Sequence, residues 1–206
     1  LLLDWRFNLT STNNNVNSYE VAALPVPRIA FTTPPSKRAQ LVKKAIGLAE
    51  QAVESGEFGA ALDFVRERLS QNPEQADVAH DLLAHLARQM TEMNKAKQKE
   101  TREFLKWLGS YTGLNVDEWK LKTIAQDYAR HPWEEFQRAL RANATAFTRD
   151  VEGRAAANKI QGEWEKSANT LRPLLAKIQA TDKLIDRIVY ELYGLTEEEI
   201  KIVAAG

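Results

Sequence analysis

A long apolar repeat in the middle of the chain constrains the fold more than any other sequence feature. No helix-breaking residue stands between Pro73 and Gly109, which predicts one helix of about 35 to 40 residues, about 55–60 Å long. Along it, nine positions follow the alternating steps of three and four residues that are typical of a coiled coil. They are Leu83, Leu86, Met90, Met93, Lys97, Glu100, Phe104, Trp107 and Tyr111. Only Lys97 and Glu100 interrupt this apolar seam.

A second seam lies between Val151 and Tyr193. Its positions are Ile160, Trp164, Ser167, Leu171, Leu174, Ile178, Thr181, Ile185, Ile188 and Leu192, and eight of the ten are apolar. Pro173 lies within this run and predicts a kink, because it removes one backbone hydrogen bond. Two such seams in one chain are satisfied most simply by packing against each other. The sequence therefore predicts an all-α fold, a coiled-coil-like spine of long antiparallel helices.

Shorter helices are predicted around this spine from capping residues and helix breakers. Ser36 is a candidate N-cap and Gly56 a candidate stop for the first helix. Pro73 is expected near the first turn of the long helix, and Pro132 at the first helical position of a later one. Thr196 and Glu199 fit a capping box for a terminal helix that continues through Val203. The shorter helices are expected at Lys37–Glu54, Glu57–Ser70, Val116–Arg130 and Trp133–Phe147.

The first 35 residues differ from the rest of the chain. They contain four of the seven prolines and five asparagines, but neither Lys nor Gly. Leu1–Thr10 has the composition of a strand, and Asn13, Asn14 and Asn15 form a turn signal. We therefore divide the chain into a short β or extended segment, residues 1–35, and a helical part, residues 36–206. The first segment is too short to fold alone, so we expect it to be the tail of a β-rich domain upstream in a larger protein.

Composition excludes several classes of function. The chain has 28 basic and 28 acidic residues, hence a formal net charge of zero, which argues against DNA binding by bulk charge. It contains no Cys, so disulfides, thiol catalysis and thiolate metal sites are excluded. No apolar run has the length of a membrane span or the pattern of a signal peptide. We expect a cytoplasmic protein without membrane contact.

The sequence contains no motif that predicts a catalytic, cofactor-binding or metal-binding residue in this chain. The glycines are isolated, so no phosphate-binding loop is present. His80 and His85 are five residues apart and do not share a helix face as metal ligands would. Glu118 and Lys120 resemble a nuclease Glu-x-Lys, but that motif requires a strand and these flanks are helical. An enzyme in its own right would be indicated by metal-dependent DNA cleavage that is lost in Glu118→Ala.

Basic residues cluster at two places and are candidates for phosphate contact. One cluster lies on the long helix and the other on the first helix. A solvated helix face explains the same pattern. The clusters are Lys95, Lys97, Lys99, Arg102 and Lys106, and then Lys37, Arg38, Lys43 and Lys44.

Several stretches together resemble a known family. Asn8–Val21, followed by Leu24-Pro25-Val26-Pro27, resembles the exit of the target-recognition domain in bacterial adenine-specific DNA methyltransferases. These are the type IIG restriction–modification enzymes with a Taq-like specificity domain and related phage-defence methylases. Thr181–Ile200 resembles the closing signature of the same proteins. Asp77–Leu86 and Met90–Lys95 are similar to the middle of their C-terminal region.

The resemblance implies a parent enzyme that transfers a methyl group from S-adenosylmethionine to adenine in double-stranded DNA. This chain lacks the family's Asn/Asp-Pro-Pro-Tyr/Phe motif, since Thr33-Pro34-Pro35-Ser36 has neither flanking residue, and it also lacks the Gly-rich cofactor motif. The chain is therefore expected to be non-catalytic by itself. Residues 1–35 would end the recognition domain, and residues 36–206 would form a spacer or docking domain. Candidate DNA contacts are Asn13, Asn14, Asn15, Lys95, Lys97 and Lys99.

The alternative function is a helical protein–protein interaction or dimerisation module without DNA contact, which would use seam residues such as Trp107 and Tyr111. The interrupted seam discriminates between the two functions. If Lys97 and Glu100 meet opposite charges within the chain, the spine is complete by itself. If they do not, a partner or a second copy is expected to complete it.

Overall fold

The computed structural model describes residues 28–205, and these residues form an all-α structure. Helices account for 80% of the described part, which contains no strand. The segment predicted as a strand, Leu1–Thr10, and the Asn13–Asn15 turn lie outside the described residues. The α-helices are α1 (Pro35–Ser55), α2 (Gly59–Leu69), α3 (Ala76–Thr112), α4 (Lys122–Gln126), α5 (Trp133–Ala142), α6 (Arg154–Tyr193) and α7 (Glu197–Ala205).

The two long helices predicted from the seams are confirmed. Helix α3 has 37 residues and α6 has 40, and they pack antiparallel. Every seam position on both helices is buried or half-buried, including the polar interruptions at Lys97 and Glu100. The alternating spacing therefore identified the packed face of each helix correctly. Pro173 lies inside α6.

The chain divides into two compact units, and each is described by itself. Among the described residues, the first unit comprises 28–88 and 180–205, and the second comprises 89–179. Among residues 28–205, no helix is both long enough and apolar enough to cross a bilayer.

Small aliphatic side chains dominate the core of the first unit. Alanines of α1, such as Ala45 and Ala49, pack with Leu82 and Leu86 of α3 and with Ile188 of α6. An alanine face lets helices approach closely, because it adds little side-chain volume between them. The start of α3 thus packs with the end of α6, as an antiparallel pair requires.

A buried carboxylate joins the residues before α1 to the first turn of α3. Asp77 is fully buried, and its two oxygens accept hydrogen bonds from the Thr33 backbone N–H at 2.9 Å and the Thr33 hydroxyl at 2.7 Å. Arg38 lies 3.8 Å from Asp77 and 3.1 Å from Asp81. The Arg38 guanidinium also lies over the exposed ring of Phe31, 5.0 Å from its centroid. These contacts fix the course of the chain as it enters the helical body.

Aromatic side chains dominate the core of the second unit. Phe104 of α3 lies 4.3 Å from Tyr128, measured between ring centroids, and 6.0 Å from Phe136 of α5. Trp164 of α6 lies 6.2 Å from Phe136 and completes the cluster. Large rings fill the space that short, irregular turns leave between the long helices.

The predicted continuous helix over Val116–Arg130 is wrong. This stretch consists of a 3₁₀ turn at Val116–Glu118, helix α4 and a second 3₁₀ turn at Tyr128–Arg130. Leu121 interrupts it with a left-handed backbone, φ +60°, a conformation that cannot continue a right-handed helix.

One buried side chain replaces the missing helical hydrogen bonds in this stretch. The Asn143 amide accepts from the Lys120 N–H at 2.8 Å and donates to the Lys120 carbonyl at 2.9 Å. It also donates to the Ala139 carbonyl at 2.8 Å. The peptide group of Lys120 is thus held by Asn143, 23 residues away in the chain.

Predictions about helix ends had mixed outcomes. The starts assigned to Ser36 and Pro132 are wrong, since α1 begins at Pro35 without a side-chain cap and Pro132 occupies the N-cap of α5. Pro73 lies three residues before α3, near its first turn as predicted. Prolines can take these positions because they need no hydrogen-bonded N–H. The stop at Gly56 is confirmed by a left-handed φ of +77°, and Gly194, which follows α6, has a left-handed φ of +59°.

The capping box before α7 is confirmed. The Glu199 carboxylate accepts from the Thr196 N–H at 2.8 Å, and the Glu199 N–H donates to the Thr196 hydroxyl at 3.3 Å. The hydrogen bonds from Thr196 favour the ionised carboxylate and lower the pKa of Glu199.

Candidate nucleic-acid interface

A groove of about 840 Å³ runs along the C-terminal half of α3 in the second unit. One side of α3 forms its length, and the segment that follows the helix forms its far wall. Its lining residues are Lys97, Gln98, Thr101, Arg102, Leu105, Lys106, Gly109, Ser110, Gly113, Asn115, Val116 and Asp117.

The floor of the groove forms where the chain turns back after α3. A side chain at Gly109 would point at the Leu114 carbonyl, 3.5 Å from the position of its Cβ, so glycine leaves this floor open. The Asn115 side chain caps the following 3₁₀ turn by accepting from the Asp117 N–H at 3.1 Å. Leu105 and Val116 supply apolar surface. The groove thus has an apolar floor below a polar rim.

The rim carries more positive than negative charge. Lys97, Arg102 and Lys106 face a single carboxylate, Asp117. That carboxylate accepts a hydrogen bond from the Gln126 amide at 2.8 Å. Within residues 28–205, none of the three cations makes an ion pair, so their charge is available to an anionic ligand.

The structure separates the lysines that the sequence grouped. Lys97 lines the groove, whereas Lys95 is exposed and pairs with Glu92 at 2.8 Å. Lys99 is exposed and does not line the groove. Because a helix turns by about 100° per residue, Lys95 and Lys99 share one face and Lys97 points away from it. The candidates Asn13, Asn14 and Asn15 lie outside the described residues.

Arg102 and Lys106 belong to the same basic run, although the candidate DNA contacts predicted from that run are only its three lysines before Arg102. Arg102 and Lys106 are four residues apart, hence on one face of α3, and this spacing was the signal that could have singled them out. That they share a groove with Lys97 depends on the far wall at residues 113–117, which helical periodicity does not reveal.

The polar positions of the α3 seam have different environments. The Glu100 carboxylate accepts a hydrogen bond from the Ser167 hydroxyl, and Ser167 in turn bonds the Tyr128 hydroxyl. Burial raises the pKa of Tyr128 to about 12. Lys97 instead opens to the groove. Neither residue meets an opposite charge within the described part of the chain, although Glu100 has a hydroxyl partner. By the criterion of the interrupted seam, this outcome favours completion by a partner or a second copy.

The seam aromatics that the alternative function would use are half-buried. Trp107 and Tyr111 stack with ring centroids 5.2 Å apart, and both pack against the core of the second unit. The Arg149 guanidinium and the Lys159 ammonium lie 5.3 and 5.2 Å from the centroid of the Tyr111 ring.

Two of the three histidines take part in local contacts. His80 bonds Asp81 at 3.0 Å and its ring packs edge-on against Phe31, while His131 bonds Glu135 at 2.7 Å. Glu118 is exposed at the end of a 3₁₀ turn rather than on a strand. A search of residues 28–205 finds no group of three or more His, Cys, Asp or Glu side chains that could hold a metal ion.

Comparison with known proteins gives one family match. A family model described as a domain of unknown function (DUF8810) matches residues 76–189, from the start of α3 to near the end of α6. No curated protein and no solved structure matches the chain significantly.

Proposed function

We propose a DNA-supporting function for this chain, which belongs to the family described as a domain of unknown function (DUF8810). In this proposal it is a non-catalytic helical module of a larger adenine-specific DNA methyltransferase of the restriction–modification type. The larger enzyme uses S-adenosylmethionine, and the module helps to hold its recognition domain on double-stranded DNA.

The groove on α3 is the observation on which the proposal depends. Lys97, Arg102 and Lys106 present three cations along one channel, against the single carboxylate of Asp117. DNA phosphates are the repeating anions that such a row of cations binds, and these contacts position a protein without reading sequence. Although the net charge of the chain is zero, these three basic residues line one concave surface.

The sequence resemblance gives the context for this contact. Residues 8–27 resemble the exit of a target-recognition domain, so α1 would follow that domain directly. In the described structure, Asp77 holds Thr33 immediately before α1. A firm attachment at this point suits a module that orients a recognition domain, because a loose joint would not transmit position.

The proposal is tested by fluorescence anisotropy of the whole chain with random-sequence duplex DNA across a salt series. We expect saturable binding whose log affinity falls linearly with log salt. Neutralising Lys97, Arg102 and Lys106 to Ala should make the slope shallower by about 3, about 1 for each phosphate contact removed.

The matched control neutralises three exposed lysines outside both basic clusters, Lys177, Lys183 and Lys201. It changes the net charge equally, so an interface confined to the groove predicts a nearly unchanged slope. Equal losses in both triple variants would indicate attraction by charge alone and would contradict a groove site. A double Lys95→Ala, Lys99→Ala variant shows whether the neighbouring face also contacts DNA.

The docking alternative predicts a different result from the same preparation. Absence of DNA binding at low salt, together with a dimer in sedimentation velocity, would replace the DNA proposal with self-association. A monomer that binds DNA would support the DNA proposal.

A further inference from the structure

Two cations converge on one aromatic ring in the second unit, apart from the groove. The Arg149 guanidinium carbon lies 5.3 Å from the centroid of Tyr111, and the Lys159 ammonium lies 5.2 Å from the same point. Trp107 stacks on Tyr111 at 5.2 Å with an interplanar angle of 17°. Two like charges are thus held around one ring, within about 10 Å of each other.

Separate elements hold the two cations in place. The residue before Arg149, Thr148, donates its N–H to the Thr112 carbonyl at 2.9 Å. Its side chain also covers Gly113 so closely that any Cβ there would overlap it. Lys159 projects from the second turn of α6. The site is therefore built by the end of α3, the segment before α6 and α6 itself.

The charge of this pair is uncompensated within residues 28–205. Neither Arg149 nor Lys159 makes an ion pair there. The nearby carboxylate of Asp150 accepts the backbone N–H groups of Glu152 and Gly153 at 2.8 and 3.3 Å. Glu163, one turn after Lys159, lines a small pocket on the Trp107 side together with Glu100, Glu103 and Lys166. Because the two cations lie within about 10 Å of each other, an anion bound between them is attracted to both.

We propose that Arg149 and Lys159, held on the Tyr111 ring, form a phosphate-binding site. The guanidinium offers a planar pair of N–H donors and the ammonium a point charge, a combination suited to phosphate oxygens. None of Tyr111, Arg149 and Lys159 is among the residues that line the groove on α3. The site is therefore distinct from the groove. Its phosphate comes either from a DNA backbone or from a small phosphate compound.

Inorganic pyrophosphate is the first probe, titrated into the ¹⁵N-labelled whole chain and followed by NMR. We expect the indole N–H resonance of Trp107 and the side-chain Nε–H resonance of Arg149 to shift with saturation. In the Arg149→Gln, Lys159→Gln variant the Kd for pyrophosphate should rise by at least about tenfold. The control Lys177→Gln, Lys183→Gln removes equal charge from exposed positions on α6 and should leave the Kd unchanged.

Duplex DNA is the second probe and distinguishes the two sources of phosphate. If the site takes DNA backbone, the double variant at Arg149 and Lys159 makes the salt slope shallower by about 2. If it takes a small phosphate compound, pyrophosphate binding is lost while the salt slope stays unchanged. Unchanged pyrophosphate binding and an unchanged slope would overturn the proposal. The groove variants leave this site intact, so its failure and that of the proposed DNA function are separable.

Discussion

The cores of the two units solve the packing problem in different ways. In the first unit, five buried core residues are alanines and Phe64 is the one aromatic in the cluster. In the second unit, Phe104, Trp119, Tyr128, Phe136 and Trp164 are all buried. The first unit brings regular helices close together, whereas the second fills irregular space with large rings.

The difference extends to the polar groups in each core. Both units bury polar side chains, but in the first unit, where Thr33, Gln75, Asp77 and Thr181 are buried, Asp77 accepts hydrogen bonds from the residue that precedes α1 by two, Thr33. The short turns of the second unit leave backbone groups without helical partners. Asn143 is buried there and bonds one of these groups, the Lys120 peptide, whereas the buried Thr112 bonds the Leu108 carbonyl of its own helix and the buried Ser167 bonds Glu100. In the second unit, large buried rings and the Asn143 amide thus accompany the irregular turns.

The largest predicted effect comes from the aromatic core. Phe136 is fully buried, so Phe136→Ala should lower the free energy of unfolding by about 4 kcal/mol through lost burial and a cavity. The opposite change tests the first unit, because Ala49→Leu adds volume between close helices and should cost about 2 kcal/mol. Urea unfolding followed by circular dichroism measures both. Tolerance of Ala49→Leu would show that the alanine face is not closely packed.

Two glycines that end helices, one in each unit, provide a matched test of how closely other side chains pack around the helix end. Gly56 and Gly113 have nearly the same left-handed φ, +77° and +78°. A Cβ at Gly56 meets nothing within 4 Å, whereas one at Gly113 overlaps Thr148. We therefore expect Gly56→Ala to cost about 1 kcal/mol from backbone strain and Gly113→Ala about 3 kcal/mol. Similar thermal unfolding midpoints for the two variants would contradict this difference.

The last predicted effect is a pH dependence that separates two buried tyrosines. Burial raises the pKa of Tyr128 from 10.0 to about 12, so its neutral form contributes stability in full below pH 10. That contribution, about 2 kcal/mol, is lost as the pH rises from 10 to 12. Burial also raises the pKa of Tyr190 in the first unit. Tyr128→Phe should flatten the pH dependence of unfolding more than Tyr190→Phe, and the reverse order would contradict the assignment.

The regular parts of the fold were predictable because their signals are local. The seam of α3 uses residues three and four apart, and the capping box of α7 lies within the four residues Thr196–Glu199. Gly56 and Gly194 end helices because glycine adopts left-handed angles without strain. None of these features requires contacts between distant parts of the sequence.

The connector and the groove were not predictable in the same way. The left-handed angle at Leu121 has no marker in its residue type, and the partner of Lys120 is 23 residues away. Lys97, Arg102 and Lys106 line one groove because residues 113–117 form its wall. The basic run was visible in the sequence, but its division between groove and open surface depends on tertiary structure.

The paired hydrogen bonds between the Asn143 amide and the Lys120 peptide group also predict which of these two positions varies among relatives. Lys120 contributes only its peptide group to these bonds, so evolution can replace its exposed side chain freely. At position 143, only a side chain that both donates and accepts at this length serves, and aspartate would lack the donor. Among descendants of a common ancestor, we expect position 120 to drift while asparagine persists at position 143.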